Sequence, residues 1–413
     1  MEHVETLIVG GGQAGLTMSH HLTRRGQTHL ILERARIAER WRSERWDSLR
    51  FQTPNALVQL PDFPFPHVDP NAFAAAGEIV DYLVAYAAHI NAPVRCGVTV
   101  TTLRRQTGAL GFVAETSDGP INASNVVVAT GPYQRANMPV SIPEMPGVVQ
   151  IHAKNYMAPS QLPTGAILVV GSGASGAQIG EELMRAGRHV YLSISKHRRA
   201  PRRYRGKDFA WWLIETGLYV APQEKRGPDQ SAVVLTGAYG GHTIDFRDFA
   251  RKGMSLLGRV DSFQDGVLTI VPDLLENLAH GDSALLTLLD WFDTQADLHG
   301  WDLPPDAGAR IMAPSPAALS EPMSRLDLSA AEISAVIWAT GYGLDFGWVD
   351  MPVFDARGAP FHQKGVTDVP GLYFLGLEFL STMSSAFLRG VGDDASYLAD
   401  HIIRRNNPCR EAS

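Results

Sequence analysis

Followed for its apolar and polar positions, the chain runs through the same passage twice. Apolar β-type stretches, Thr6 to Val9 and Ile167 to Val170, lead straight into GxGxxG, then a helix-forming segment, then a second β stretch, HLILE in one copy and HVYLSIS in the other. The passages LIVGGGQAGLTMSHHLTRRG at 7–26 and LVVGSGASGAQIGEELMRAG at 168–187 match in layout, with Gly26 and Gly187 each 16 positions beyond Gly10 and Gly171. Two further apolar strands, NVVVATG at 125–131 and AVIWATG at 335–341, end in the same Ala-Thr-Gly. The first glycine lies 119 positions before the Ala-Thr-Gly in one copy and 168 in the other, so the second unit carries about 49 extra residues. Their simplest place is just after residue 197, an insertion near 197–250.

This layout is the βαβ dinucleotide fingerprint in its required setting, and the expected fold class is α/β with two Rossmann-like dinucleotide-binding domains. Gly10 and Gly171 permit the tight turn, Gly12 and Gly173 let backbone approach a pyrophosphate, and Gly15 and Gly176 let the helix pack on the strand. The pyrophosphate would sit on free N–H groups at the helix starts, Gln13-Ala14 and Ala174-Ser175. Ala129-Thr130-Gly131 and Ala339-Thr340-Gly341 are turns that leave the sheet close to a cofactor. The copies differ at the ribose end. Glu33 closes the second strand of the first copy, where a carboxylate accepts two ribose hydroxyls; the second has Ile194, then Ser195-Lys196-His197-Arg198-Arg199. A hydroxyl followed by cations suits a 2′-phosphate, which a carboxylate would repel. The first site therefore reads as FAD and the second as NADPH, with Ser195, Lys196 and Arg198 on the phosphate.

Composition narrows the classes. With 413 residues, 45% of them hydrophobic, and a net charge of −7, the chain has the profile of a globular protein and lacks the basic footprint that nucleic acid or an anionic membrane requires. No window of 18 uninterrupted apolar residues predicts a membrane span, and the opening MEHVETLIVGGG has no basic segment before a long apolar one. The expected location is cytoplasmic. Two cysteines, Cys96 and Cys409, form no CxxC or zinc spacing, and no histidine pair has ligand spacing, so no metal is expected.

The chain resembles two-dinucleotide-site flavoproteins of glutathione-reductase-like layout, and more narrowly the flavin-containing monooxygenases with their YUCCA-like and CzcO-like bacterial relatives. Besides both fingerprints, the resemblance rests on Trp41-Arg42, RWDSLRFQTPN and LPDFPFP within 45–66, Gln178, ATGY at 339–342, and the closing GLYFLGLEFLSTMSSAFLRGVGDDASYLADHI. It covers nearly the whole chain. It implies bound FAD, NADPH as hydride donor, and oxygen activated as a flavin C4a-hydroperoxide that oxygenates a small organic substrate. It also implies that Asn55, in Thr53-Pro54-Asn55, is the catalytic amide facing the flavin, and that Gln13, Arg34, Trp41, Thr53, Val100 and Gln178 neighbour the cofactors. One departure stands out: the signature FxGxxxHxxx(Y/W/F) survives only as His152 and Tyr156, since Met145 stands near the Phe place and the spacing from Gly147 is one longer. Heteroatom oxygenation, hydroxylation and Baeyer–Villiger insertion all stay open.

RGVGDDA at 389–395, with Gly390 and Gly392, can start a helix whose N–H groups meet the flavin pyrimidine as negative charge develops there. HRRAPRRYRGKDFAWWL at 197–213 holds six cations followed by Phe209, Trp211 and Trp212; the first arginines are expected on NADPH phosphate, the aromatics in a substrate lid or in packing. The expected domains are 1–160 and 325–413 for FAD, with 161–324 for NADPH between them, and 304–322 reads as a connector. Rival readings are a disulfide reductase, which needs a dithiol beside the flavin, an NADPH oxidase or reductase, and a flavin-binding redox sensor. The expected partners are a small molecule and O2; a homodimer is among the assemblies left open.

Overall fold

The computed structural model describes residues 2–108, 110–140, 142–222 and 231–406. Along the first unit run β1 (Glu2–Val9), α1 (Gln13–Arg24), β2 (His29–Glu33), α2 (Glu39–Ser43), α3 (Ala76–His89), β3 (Val94–Cys96), β4 (Val100–Arg105), β5 (Phe112–Thr116) and β6 (Ile121–Val128). The second unit contains β7 (Val149–His152), β8 (Ala166–Val170), α4 (Ala174–Arg185), β9 (Val190–Ser193), β10 (His197–Arg199), α5 (Phe209–Glu215), β11 (Ala232–Val234), α6 (Phe246–Arg251) and β12 (Ser255–Leu257). It continues through β13 (Val260–Gln264), β14 (Val267–Ile270), α7 (Leu274–His299), β15 (Arg325–Asp327) and β16 (Ile333–Trp338). The chain then returns to the first unit with β17 (Leu372–Phe374) and α8 (Val391–Asn406).

The first unit is built on a mixed sheet, parallel across β3, β2, β1 and β6 and antiparallel at β5 and β4, and the second on a parallel one, with β1 or β8 near the centre. The first sheet runs β3-β2-β1-β6-β5-β4, with β17 beside the end of β6; the second runs β7-β16-β8-β9-β12. Leu7 stands between Leu30 and Val126, and Leu168 between Tyr191 and Val336. Strands covered on both faces read as continuous apolar runs, and Leu7, Ile8, Ile167, Leu168 and Val169 are all fully buried. Each such side chain contributes about 1.5–3 kcal/mol relative to exposure. Among the described residues no helix is long and apolar enough to cross a membrane.

The pairing moves two expected borders. β7 and β16 are neighbours in the second sheet, and β16 also pairs with β8, so 149–152 and 333–338 belong with the second unit rather than with 1–160 and 325–413. The cause is the repeat itself: each Ala-Thr-Gly strand lies parallel to the first strand of its own unit, β6 on β1 and β16 on β8. The extra residues are also displaced from their expected place near 197–250. The stretch from Glu33 to Val94 and that from Ser193 to Ser255 match in length, whereas the four-residue turn between β5 and β6 is replaced in the second unit by 271–324 with α7. The two linkers between the units lie against each other, Tyr342 opposite Ala136 and Gly343 opposite Arg135.

Candidate functional site

The two glycine turns are geometric copies. Gly10 and Gly171 have φ of +118° and +107°, and a Cβ on either would lie 2.5 Å from the carbonyl oxygen of Ala129 or Ala339. Each fingerprint turn thus rests on its own Ala-Thr-Gly turn. A Cβ on Gly15 or Gly176 would stand 1.9 Å from the Gly10 or Gly171 carbonyl oxygen, so helix and strand meet at backbone distance. Gly12 has nothing within 4 Å, and Gly173 meets only the Ala232 methyl at 3.8 Å. Gly12 and Gly173 are the N-caps of α1 and α4, and neither helix has a side chain capping its first N–H groups. Open space before uncapped N–H groups is the shape a pyrophosphate fills.

At the ribose end the copies part. Glu33 is buried and accepts from the backbone N–H groups of Gly11 at 2.7 Å and Ala35 at 3.0 Å, which aims the carboxylate while leaving lone pairs for hydroxyls. In the second unit the Ser172 hydroxyl accepts from the Ser195 N–H at 3.0 Å, with no carboxylate there. Ile194 is buried, Ser195 and Arg198 are half-buried, and Lys196 is exposed. Other cations of the 197–213 run are engaged inside the protein: Arg199 with Asp245 and Asp282, Arg202 with Asp208, Arg205 with Asp293. Phe209 and Trp212 are buried, and Trp211 packs against Trp212 and Trp301, so these aromatics belong to a core.

Asn55 is buried at the start of a short 3₁₀ turn; its Nδ2 donates to the Asp69 carbonyl at 3.2 Å, while Oδ1 has no partner in the protein. The segment before it, with half-buried Thr53, is held by the second unit. The Arg202 guanidinium donates to the Gln52 carbonyl at 2.9 Å, and a Cβ on Gly237 would lie 2.1 Å from the Phe51 carbonyl oxygen. Gln178 Nε2 reaches the Leu235 carbonyl at 3.0 Å and leaves Oε1 unpartnered. Trp41, half-buried, packs on Phe51 and lies under the Arg45 guanidinium. Arg34 is exposed just beyond β2, and Val100 pairs with Thr116 at the start of β4.

The closing segment comes back to the first fingerprint. Gln13 Nε2 donates to the Ala386 carbonyl at 2.5 Å, and a Cβ on Gly376 would stand 2.6 Å from that of Ala14. Gly390 packs against Ser384 and Gly392 near Pro61 at the start of α8. Asp394 is buried beneath them, bonded to Ser381, and burial pushes its carboxyl up. The second unit touches this segment through Tyr219 on Phe387 and a bridge from Pro222 to Thr382. At the other linker, Thr340 bonds the Asn137 carbonyl and His152 Nε2 donates to the Gly341 carbonyl at 3.1 Å; burial keeps His152 neutral. Tyr156 donates to Glu182 at 2.8 Å. The surviving half of the HxxxY signature thus braces the second Ala-Thr-Gly turn and α4. Thr130 and Gly131 are tied to Gln134.

Gly11 and Gly376 are not singled out by the sequence motifs, and Arg202 stands there only as one cation of the 197–213 run. Gly11 had a signal, the middle place in a run of three glycines; a Cβ there would stand 2.8 Å from that of Glu33. Gly376 and Arg202 had none, because their contacts join distant parts of the chain. Cys96 is exposed and pairs in register with Glu33, at the ribose end of the first site; Cys409 lies outside the described residues. Among the described residues no dithiol faces the segments at 51–55 and 382–392.

The two units thus present glycine turns of equal geometry that differ at the ends of their second strands, the frame of a two-site oxidoreductase. The sequence model of the pyridine nucleotide-disulphide oxidoreductase family matches residues 7–213, and the chain belongs to that family. It is 33% identical over 98% of its length, and 99% of the relative's, to the uncharacterized oxidoreductase CzcO-like of Geobacillus kaustophilus. It is 31% identical to the probable indole-3-pyruvate monooxygenase YUCCA1 of Arabidopsis thaliana over 46% of each chain. Among solved structures, the flavin-containing monooxygenase from Stenotrophomonas maltophilia shares the fold, with a TM-score of 0.66 at 18% identity over 98% of this chain and 99% of that one.

Proposed function

We propose that the protein is an NADPH-dependent FAD monooxygenase that places one oxygen atom of O2 on nitrogen, sulfur or carbon of a small organic substrate. The observation that carries this reading is Asn55: a buried amide whose oxygen has no partner in the protein, just after a segment the second unit holds in place. The flavin monooxygenases among its relatives and structural neighbours support it. FAD would supply hydride acceptance and oxygen activation. Gly12 and the N–H groups opening α1 would take its pyrophosphate, Glu33 its ribose, and the N–H groups opening α8 would face its pyrimidine. Gly173 and the start of α4 would hold the NADPH pyrophosphate, Ser195, Lys196 and Arg198 its 2′-phosphate. Asn55 Oδ1 would accept a hydrogen bond from a protonated reacting group, and the packing of the second unit on the segment at 51–55 would keep water away.

The test uses the FAD-loaded protein, reduced by NADPH without oxygen and then mixed with it. The oxidised spectrum is expected to return in two phases with hydrogen peroxide released in the second, and Asn55→Ala should hasten that release about tenfold, the worth of one hydrogen bond of about 1.4 kcal/mol. One-phase return with peroxide formed in step would refute the sheltering role and favour an oxidase or reductase.

A further inference from the structure

β10 alternates its side chains across the strand, as any strand does. His197 and Arg199 point inward and are buried, while Lys196 and Arg198 lie on the other side, exposed and half-buried. The inward side is fastened by α7, the helix that the first unit lacks. Asn277 Nδ2 donates to the Ile194 carbonyl at 3.1 Å, His280 Nδ1 donates to the His197 carbonyl at 2.8 Å, and Asp282 takes Arg199 and also Arg247, the latter at 2.7 Å. Between them Gly281 leaves room for the His197 ring, since a Cβ there would stand 2.6 Å from its Nε2. His197 in turn donates from Nδ1 to the Ser195 carbonyl at 2.9 Å. α7 therefore reaches the backbone at 194 and 197 and the side chain at 199, while β11 pairs along the strand edge and Arg198 Nε donates to the Ser231 carbonyl at 2.9 Å.

We propose that α7 sets the choice of nucleotide: by gripping the inward face of 194–199 it holds Ser195, Lys196 and Arg198 in the arrangement that receives a 2′-phosphate, with Asn277, His280 and Asp282 as positioning residues. This rests on the NADPH reading of the second site. A nucleotide without the 2′-phosphate makes no use of that arrangement, so loosening α7 weakens one ligand and spares the other. A merely structural loss would weaken both.

The experiment is calorimetric titration of the FAD-loaded protein with adenosine 2′,5′-bisphosphate and with 5′-AMP, alongside KM for NADPH and NADH. His280→Ala is expected to weaken the bisphosphate about fivefold, the scale of one lost hydrogen bond, and to leave 5′-AMP unchanged. His280→Asn, whose amide N–H takes the place of Nδ1–H, should restore the preference. Equal losses for both ligands, or no loss in His280→Ala, would overturn the proposal. Lys196→Ala is the reference: if it too leaves the bisphosphate unaffected, the 2′-phosphate reading itself fails and the inference falls with it, whereas a loss there without one in His280→Ala condemns α7 alone.

Discussion

Arg202 offers the sharpest test of how the two units are joined. Its side chain is 2% exposed, its Nε donates to Asp208 at 2.9 Å with Nη2 on the other carboxylate oxygen, and Nη1 donates to the Gln52 carbonyl. Phe73 lies beneath the guanidinium at 5.0 Å. Arg202→Met removes the cation and leaves Asp208, 13% exposed, with the Ala210 N–H at 2.8 Å as its remaining donor. Breaking a buried pair on one side costs about 3–5 kcal/mol, because the surviving charge is uncompensated. The retained N–H bond places this case at the lower end. With an unfolding entropy of about 2.1 cal/mol/K per residue, that is a fall in Tm of about 3–6 °C for a chain of this size. Arg202→Met combined with Asp208→Asn removes the stranded charge and keeps an acceptor for Ala210, so most of the loss should return. The Gln52 carbonyl still lacks its donor in the double variant, so release of peroxide from the reduced, oxygen-exposed protein should stay fast. Thermal denaturation and peroxide release, measured on both variants, separate the two effects. A double variant as unstable as the single one would refute the argument from charge, and normal peroxide release in both would refute the link to Asn55.

Two further outcomes follow from geometry and burial. Gly15→Ala and Gly12→Ala should behave oppositely toward the fold: a Cβ at Gly15 would meet backbone at 1.9 Å and destabilise even FAD-free protein, whereas at Gly12 it has nothing within 4 Å, so the FAD-free Tm holds while bound flavin, read by absorbance, is lost. His197 is held neutral by burial, with a pKa lowered from 6.5 to about 4. Above 6.5 neither the folded nor the unfolded chain binds a proton there; as pH falls below it the unfolded chain takes one that the folded chain refuses, so stability drops by about 3 kcal/mol by pH 4. Denaturation measured across that window should flatten in His197→Gln, and an unchanged slope would show that His197 does not set it.

Local chemistry makes the two glycine turns legible from the amino-acid order alone. A glycine at 10, 12 or 15 states a steric demand of its own surroundings, and the strand-turn-helix order around it needs no distant partner to be read. The difference between Glu33 and Ile194-Ser195 was legible for the same reason: it lies in one residue at a set place after a strand. Such periodic and short-range features, the two Ala-Thr-Gly strands among them, are what the amino-acid order determines by itself. The tertiary structure decided which sheet 333–338 joins, that the added residues form α7 between β14 and β15, and that Arg199, Arg202 and Arg205 of the basic run are neutralised within the protein. Asp245, Asp282 and Asp293 lie tens of residues from the arginines they bind, and nothing local distinguishes an arginine that will meet a phosphate from one that will meet a buried carboxylate. Charge is readable along the chain, but pairing is set by packing, and packing exists only once the chain has folded.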